Sequence, residues 1–302
     1  MPCILSAFAD EAGVSCAEQI AGLRRAGFKH IDIRGIDGHN ITVLPLEQAR
    51  LVRTQLDAAG ISVNMFGSPL GKIDLADDFQ SDVTKLRHMG TLAPILGCTA
   101  IRIFSYYNKQ SQPQAEFQKI ALQRLSELAQ IASDLGLVLY HENEANIFGD
   151  KSADVLTIAR ELRAKWGNGK AAGGCFRMIF DFGNYHASRE EVWQCWLMQR
   201  DVTDAFHLKD NVWADASTMH HVPVGQGGGQ IPRILADAVA RNFTGPLTVE
   251  PHLQHSAAVA ATGPSGIANA AYSKMSMAES FHIACMAARE VCQKAALATD
   301  AG

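Results

Sequence analysis

The sequence lacks the long apolar runs and the paired cysteines that mark membrane and disulfide-bonded proteins. No window approaches about 18 uninterrupted apolar residues, which a membrane-spanning helix needs. The first residues, MPCILSAFADEAG, carry no charged region before a short apolar stretch, which is not typical of a signal peptide. The seven cysteines are odd in number and form no CxxC pair. We therefore expect buried, reduced thiols in a cytoplasmic protein.

Concentrated basic charge is also missing. The 302 residues carry a net charge of -4 with a pI near 6.2, and no run of Lys or Arg occurs. A nucleic-acid-binding surface typically shows a concentrated basic patch. We expect a small-molecule partner, with no nucleic acid and no membrane, and we leave open whether the chain forms a homo-oligomer.

Short apolar or β-branched runs alternate with longer segments of helical periodicity along the chain. This alternation predicts parallel strands joined by helices, and eight such units predict one α/β domain over 1–302, a single (β/α)8 TIM barrel. The competing open sheet usually carries a glycine-rich phosphate turn after its first strand, and FADEAG is not one. The predicted strands are 3–9, 30–34, 61–66, 99–105, 137–143, 176–182, 203–209 and 246–252.

The connections place a candidate site at one end of this barrel. Clear helical periodicity covers 114–135 and 231–242, and a final helix with a frayed end is predicted at about 274–298. Loops from strand to helix are long, and in a barrel they all emerge at the C-terminal ends of the strands, where sites are built. The long loops are 35–45, 67–78, 106–113, 211–230 and 253–273.

The last four predicted strands each end in a side chain that can bind a metal ion. These residues are Glu142, Asp181, His207 and Glu250. A lone Asp after a strand is more typical of a helix N-cap, but four such groups are hard to explain as caps, and unpaired buried charge costs several kcal/mol. Two Glu, one Asp and one His form a mixed oxygen and nitrogen set that suits one divalent ion, Mn²⁺, Mg²⁺, Co²⁺ or Zn²⁺.

Residues two positions from these ligands share their face of the strand, because strand side chains alternate between faces. Glu144, Lys209 and His252 meet this condition on strands five, seven and eight. We expect them to line the pocket and contact the substrate. His141, one position away, faces a helix unless the strand has already ended there.

Other polar residues have two interpretations each. Arg102 lies inside a predicted strand, and it either binds a substrate carboxylate or phosphate or pairs with a core acid such as Asp32. Arg34 and Glu11 end strands two and one, and they either reach the mouth or serve as caps or ion pairs. The segment 223–229 lacks the Lys and Ser of a phosphate-binding loop and is interpreted as a flexible rim loop.

Several motifs resemble those of the xylose isomerase-like TIM-barrel family, which contains sugar phosphate isomerases and epimerases as well as endonuclease IV. They are HEN, DFGN, FHLKD and VEPH on the last four strands, with SAFADE, IDIRGIDG and IRIFSYY earlier. The resemblance covers nearly the whole chain, and it implies that the four strand-end residues occupy the family's metal positions. Many family epimerases have a second histidine where this chain has Asn184, and His186 is a partial substitute there. We expect Asn184 and His186, together with His141, to contact the substrate.

The resemblance implies an isomerase or epimerase of carbohydrate metabolism that transfers a proton next to the carbonyl of a sugar or keto-sugar. The metal polarises the carbonyl as a Lewis acid, Glu142 and Glu250 remove and return the proton, and Lys209 donates to the enediolate oxygen. The alternative is a lyase or dehydratase acting on a keto-sugar or keto acid. It shares the first step and uses His141, His252 or Lys209 as the acid.

Two further classes fit less well. A DNA-repair nuclease of the endonuclease IV type holds several zinc ions and needs a basic surface, and the acidic pI argues against it. A binding barrel without catalysis has no need for the intact quartet of strand-end ligands. Metal content per chain separates these classes from a one-metal sugar enzyme.

Overall fold

Eight parallel strands form the barrel that the sequence predicts. The structure is a computed structural model that describes residues 2–167, 174–254 and 269–301. The barrel strands are β1 (Leu5–Ala7), β2 (His30–Ile33), β3 (Ser62–Phe66), β4 (Ala100–Ile103), β5 (Val138–Glu142), β6 (Phe176–Asp181), β7 (Ala205–Leu208) and β8 (Leu247–Val249). They pair in the order β1-β8-β7-β6-β5-β4-β3-β2. A parallel bridge between Phe8 and Asp32 then joins the first two strands, so the sheet closes on itself.

Helices alternate with these strands and cover the outside of the barrel. Within the described ranges, no helix is both long and apolar enough to cross a bilayer. The helices are α1 (Cys16–Ala26), α2 (Leu46–Ala59), α3 (Gln80–Leu96), α4 (Gln114–Asp134), α5 (Ser152–Trp166), α6 (Phe182–Ala187), α7 (Val192–Gln199), α8 (Ile231–Ala240) and α9 (Met277–Lys294).

The first helix shows how local sequence sets these boundaries. The Ser15 side chain accepts a hydrogen bond from the backbone N–H of Glu18, and the Glu18 side chain accepts one from the backbone of Ser15. This reciprocal capping box satisfies N–H groups that the first turn leaves open. Gly27 ends the helix with a φ of 76°, in the left-handed region that favours glycine.

All eight predicted strands are present, with shorter ends than the apolar runs suggest. The final helix is also shorter than its predicted span of 274–298. Two antiparallel hairpins inside the long loops were not predicted from the sequence: one joins Gly35–Ile36 with His39–Asn40, and the other joins Asp210–Trp213 with Met219–Val222. Most of the predicted loop 253–273 lies outside the described residues.

The barrel interior contains a buried acid whose hydrogen bonds are satisfied. Asp32 on β2 accepts from the hydroxyls of Ser6 at 2.6 Å and Thr248 at 2.8 Å, and from the Asn64 amide at 2.7 Å. Burial raises the pKa of Asp32, although the hydrogen bonds from Ser6 and Asn64 oppose the rise. These hydrogen bonds join β2 to β1, β3 and β8, so Asp32 has a structural role.

The rim loop that the sequence suggested to be flexible is held by one carboxylate. Asp210, two residues after the end of β7, accepts backbone N–H bonds from Gly225 at 3.0 Å, Gly227 at 2.8 Å and Gly229 at 2.9 Å, and also from Asn211 at 3.0 Å. Hydrogen bonds to an ionised acceptor are stronger than neutral ones. The glycine-rich loop is therefore wrapped around a fixed anchor.

Replacing this anchor should destabilise the protein. We expect Asp210→Ala to lower the free energy of unfolding by about 2–3 kcal/mol, because buried N–H groups lose a charged partner. Urea denaturation followed by circular dichroism measures the loss. Asp215→Ala is the matched control, since Asp215 accepts backbone N–H bonds from Ser217 and Thr218 but is exposed. Equal midpoints for Asp210→Ala and the wild type would contradict the anchoring role.

Candidate active site

Four potential ligands converge at the C-terminal end of the barrel. Glu142 ends β5, Asp181 ends β6, His207 lies in β7, and Glu250 directly follows β8. One ligand atom from each lies within 4.8 Å of the others, and all four side chains are buried. Parallel strands that end together bring distant parts of the sequence to one point.

His207 lies between the two glutamates. Its Nδ1 is 3.1 Å from Glu142 Oε1 and 3.6 Å from Glu250 Oε2. The edge of its ring packs on Phe8, with the ring centres 5.5 Å apart. The Asn184 amide also donates to Glu142 Oε1 at 3.3 Å. Asn184 therefore faces the quartet from the position where many family epimerases have histidine.

Asp181 uses its two carboxylate oxygens differently. Oδ1 accepts the backbone N–H of Asn184 at 2.7 Å and so caps α6, while Oδ2 lies 3.2 Å from Lys209 Nζ. The Asn143 side chain fixes the backbone of Asp181, accepting its N–H at 2.8 Å and donating to its carbonyl at 3.0 Å. The N-cap interpretation of this Asp is right for one oxygen, and the other oxygen faces the centre.

Several buried polar atoms of these residues lack good hydrogen bonds and could bind a metal ion. Glu142 Oε2, Asp181 Oδ2 and both ring nitrogens of His207 are buried and lack hydrogen-bond partners of good geometry. Nearby cations offset their charge, but a buried acceptor without a partner is costly. Three carboxylates and one imidazole form a ligand set that hard or borderline divalent ions accept. The quartet could therefore hold one such ion.

The charged groups of the site strongly shift one another's pKa values. Burial raises the pKa of Glu142, but His207 and then Arg102 outweigh it and bring that pKa to about 2. Burial lowers the pKa of His207, but Glu142 and Glu250 raise it overall to about 10. Burial raises the pKa of Asp181 well above its usual range, against the effect of Lys209. The two glutamates therefore favour the protonated form of His207, whose positive charge offsets theirs.

Two cations beyond the quartet contact the same glutamates. Lys209 Nζ lies 3.1 Å from Glu250 Oε2. Arg102 NH1 lies 3.3 Å from Glu142 Oε2 and 3.7 Å from Glu250 Oε1. Arg102 therefore pairs with acids, and these are the two glutamates rather than Asp32; its use as a substrate ligand stays a prediction.

A second layer of charges comes from the first two strands. Arg34 forms a two-pronged ion pair with Asp10, at 2.8 Å for both contacts, and reaches Glu11 at 3.2 Å and Glu250 Oε1 at 3.4 Å. His252 lies between Glu11 and Glu250. From the sequence alone, Arg34 and Glu11 had two interpretations each, and Asp10 was not a predicted site residue. Charged residues at the ends of β1 and β2 were the available signal.

Two further predicted site residues are Glu144 and His141. Glu144 pairs with Lys72 at 2.9 Å. His141 is fully buried against Gly149, near Ser105, and burial lowers its pKa to about 3. Its role in substrate binding stays a prediction.

His186 belongs to the rim. Its Nδ1 lies 2.5 Å from Asn211 Oδ1, and Gly228 packs so closely on its ring that any Cβ at that position would clash. The anchored glycine-rich loop thus covers His186. Its use as a substrate ligand also stays a prediction.

Comparisons with known proteins identify the family of this barrel. A model of the xylose isomerase-like TIM barrel family matches residues 20–270. The chain belongs to the xylose isomerase-like TIM barrel family. No curated protein sequence matches the chain significantly.

Solved structures share the fold at low sequence identity. The IOLI protein with a bound zinc atom has a TM-score of 0.71 and 15% identity, covering 97% of this chain and 99% of that one. D-allulose 3-epimerase from Methylomonas sp., in complex with D-allulose, has a TM-score of 0.66 and 17% identity, covering 97% of each chain. The probable 3-DHS dehydratase AsbF from Bacillus anthracis has a TM-score of 0.65 and 16% identity, covering 87% of this chain and 97% of that one.

Metal binding at this quartet should be linked to pH. His207 is protonated below a pKa of about 10, and a ligand nitrogen must lose its proton to bind a metal. We therefore expect Mn²⁺ affinity to rise from pH 6 to pH 8, with proton release on binding. Calorimetric titration in two buffers of different ionisation enthalpy measures both quantities. His207→Ala should abolish tight binding, and pH-independent affinity without proton release would contradict the assignment.

Proposed function

We propose that this chain is a divalent-metal-dependent isomerase or epimerase that acts on a sugar or keto-sugar. The observation that carries the proposal is the convergence of two glutamates from separate strands on one imidazole. Glu142 on β5 and Glu250 after β8 lie 3.1 Å and 3.6 Å from His207 Nδ1. Two carboxylates at the mouth of one barrel can serve two sides of a bound carbon.

In this mechanism the two glutamates move the proton. Positive neighbours lower the pKa of both, so both are ionised at neutral pH and can accept a proton. One carboxylate removes the proton next to the carbonyl, and the other, once it has taken up a proton from solvent, delivers that proton to the opposite face of the carbon. Lys209, whose Nζ is 3.1 Å from Glu250, donates to the oxygen that gains negative charge.

A divalent ion at Glu142, Asp181, His207 and Glu250 would supply Lewis-acid polarisation of the substrate carbonyl. Arg102 contacts both glutamates, and its positive charge helps to lower the pKa of Glu142. The burial of all these groups strengthens each electrostatic interaction, because little water screens it.

One observation favours a second candidate, a lyase or dehydratase on a keto-sugar or related keto acid. Two N–H donors, Lys209 and His252, lie 3.1 Å and 3.2 Å from the carboxylate of Glu250. After Glu250 removes the proton, a donor beside it can protonate a hydroxyl on the next carbon. The C–O bond then breaks, a C=C bond forms, and water leaves.

The similar solved structures include an epimerase and a probable dehydratase, so the shared fold is compatible with both reactions. One of them is a complex with D-allulose, which supports a sugar as the class of substrate. A homo-oligomer, a cytoplasmic location and a single domain over 1–302 remain predictions.

Solvent deuterium uptake tests the proposal. The Mn²⁺-loaded protein is incubated in D₂O with a panel of keto-sugars, and proton NMR follows the signal of the C–H next to the carbonyl. We expect one substrate to exchange that proton and to form an epimer or isomer, and EDTA to stop both. Accumulation of a dehydrated, conjugated ketone would favour the lyase. No exchange and no turnover with any member of a broad panel would contradict both candidates.

The two glutamates can be tested separately. Glu142→Gln and Glu250→Gln should each lower kcat by about 10²–10⁴-fold, because the amide cannot accept a proton. KM should change less, since size and one potential ligand oxygen remain. One variant should still exchange the substrate proton with solvent, because it keeps the glutamate that removes it.

Glu161→Gln on α5 is the matched control, since Glu161 is exposed on a helix outside the site. Its turnover should equal that of the wild type. Wild-type turnover in both site variants would rule out a two-carboxylate mechanism and would move attention to Lys209 and His252.

A further inference from the structure

The carboxylate of Glu250 has two distinct sides. Oε2 faces the centre of the quartet, 3.6 Å from His207 Nδ1 and 3.1 Å from Lys209 Nζ. The shortest polar contact of Oε1 is His252 Nε2 at 3.2 Å, ahead of Arg34 at 3.4 Å and Arg102 at 3.7 Å. The group that meets Oε1 most closely is therefore an imidazole outside the metal-capable quartet.

His252 is itself held from the opposite side by Glu11. Its Nδ1 lies 2.9 Å from Glu11 Oε1, and its backbone N–H donates to Glu11 Oε2 at 2.7 Å. Both side chains are buried, at 2% and 6% exposure. A carboxylate that contacts the ring and the backbone of the same residue fixes the position and the orientation of that ring.

The backbone at His252 shows that this arrangement is imposed by its surroundings. Its φ is 49°, in the left-handed region that residues other than glycine rarely adopt. Such a conformation persists only where the surrounding contacts hold it, and it recurs at functional sites. The bond from the His252 N–H to Glu11 is one such contact.

Glu11 is anchored in turn by the start of the barrel. Arg34 contacts Glu11 at 3.2 Å and is fixed by both oxygens of Asp10 at 2.8 Å. These residues follow β1 and β2, whereas Glu250 follows β8. The chain of contacts therefore reaches Glu250 across the place where the first and last strands of the barrel meet.

We propose that Glu11 and His252 are positioning residues for Glu250: Glu11 orients the imidazole, and the imidazole holds Oε1 so that Oε2 faces the metal centre. This inference rests on the proposed function in that Glu250 is taken as a metal ligand. It assigns His252 a role distinct from the substrate contact predicted from the sequence. Outer partners of metal ligands typically contribute about 10–100-fold to metal affinity.

Mn²⁺ titration tests the proposal without a known substrate. His252→Asn removes the imidazole but tolerates the left-handed backbone, and Glu11→Gln keeps the size of the side chain. Each should weaken Mn²⁺ binding by about 10-fold. Because Glu11 acts through His252, the double variant should be no weaker than the weaker single variant. His252→Gln, whose amide can reach Oε1, should recover most of the affinity.

A matched control uses another histidine–carboxylate pair. His30 Nε2 lies 2.6 Å from Asp300 at the start of β2, at the other end of the barrel, so His30→Asn should bind Mn²⁺ as the wild type does. Thermal melting of each variant without metal shows whether it is folded. If His252→Asn is unfolded, Glu11→Gln carries the test, and its Mn²⁺ affinity should be about 10-fold weaker than that of the wild type and of His252→Gln.

Glu250→Ala, which leaves no ligand oxygen, separates the two possible failures. If Glu250→Ala binds Mn²⁺ as the wild type does, Glu250 is not a ligand, and the metal centre and the inference both fail. If Glu250→Ala binds weakly but His252→Asn and Glu11→Gln bind normally, only the positioning role is overturned. If the loss of Mn²⁺ affinity in the double variant equals the product of the two single losses, the positioning role is also overturned, because the two residues then act independently.

Discussion

The mutual neutralisation of buried charges at the mouth of the barrel is the interaction on which the rest of this site depends. Glu142, Asp181 and Glu250 would be very costly to bury alone, since an isolated ion loses its hydration. Here each of them lies within 3.3 Å of a positive group. Arg102 and Lys209 contact two acids each, so removing one cation leaves more than one carboxylate uncompensated.

The barrel supplies the geometry for this compensation. Strands that run in parallel end at one face, and side chains there point toward a shared centre. Glu11 and Glu250 are 239 positions apart in the sequence, yet both contact His252 because β1 pairs with β8. Closure of the sheet is thus a requirement for the site as well as for the fold, since an open sheet would separate the first strand from the last.

Much of this arrangement can be predicted from the sequence. The alternation of strand and helix patterns predicts the barrel, and the acids and imidazole after apolar runs predict the quartet, because barrel topology fixes where strand ends meet. It is harder to predict which charged side chains pair with one another. Arg102 had Asp32 and a substrate as possible partners, and only the register of neighbouring strands places it beside Glu142. The anchoring of the glycine-rich loop by Asp210 is equally hard to predict, because it depends on how the loop folds back onto that carboxylate.

The two candidate reactions use different parts of the same mouth. Epimerisation needs a proton acceptor on each face of one carbon, and Glu142 and Glu250 come from strands separated by β6 and β7. Elimination needs an acid beside the base, and both Lys209 and His252 contact Glu250 rather than Glu142. Glu250 takes part in either case, so the contacts that orient its carboxylate are needed for both reactions. Which reaction occurs then depends on whether the bound substrate places a hydrogen near Glu142 or a leaving hydroxyl near the donors around Glu250.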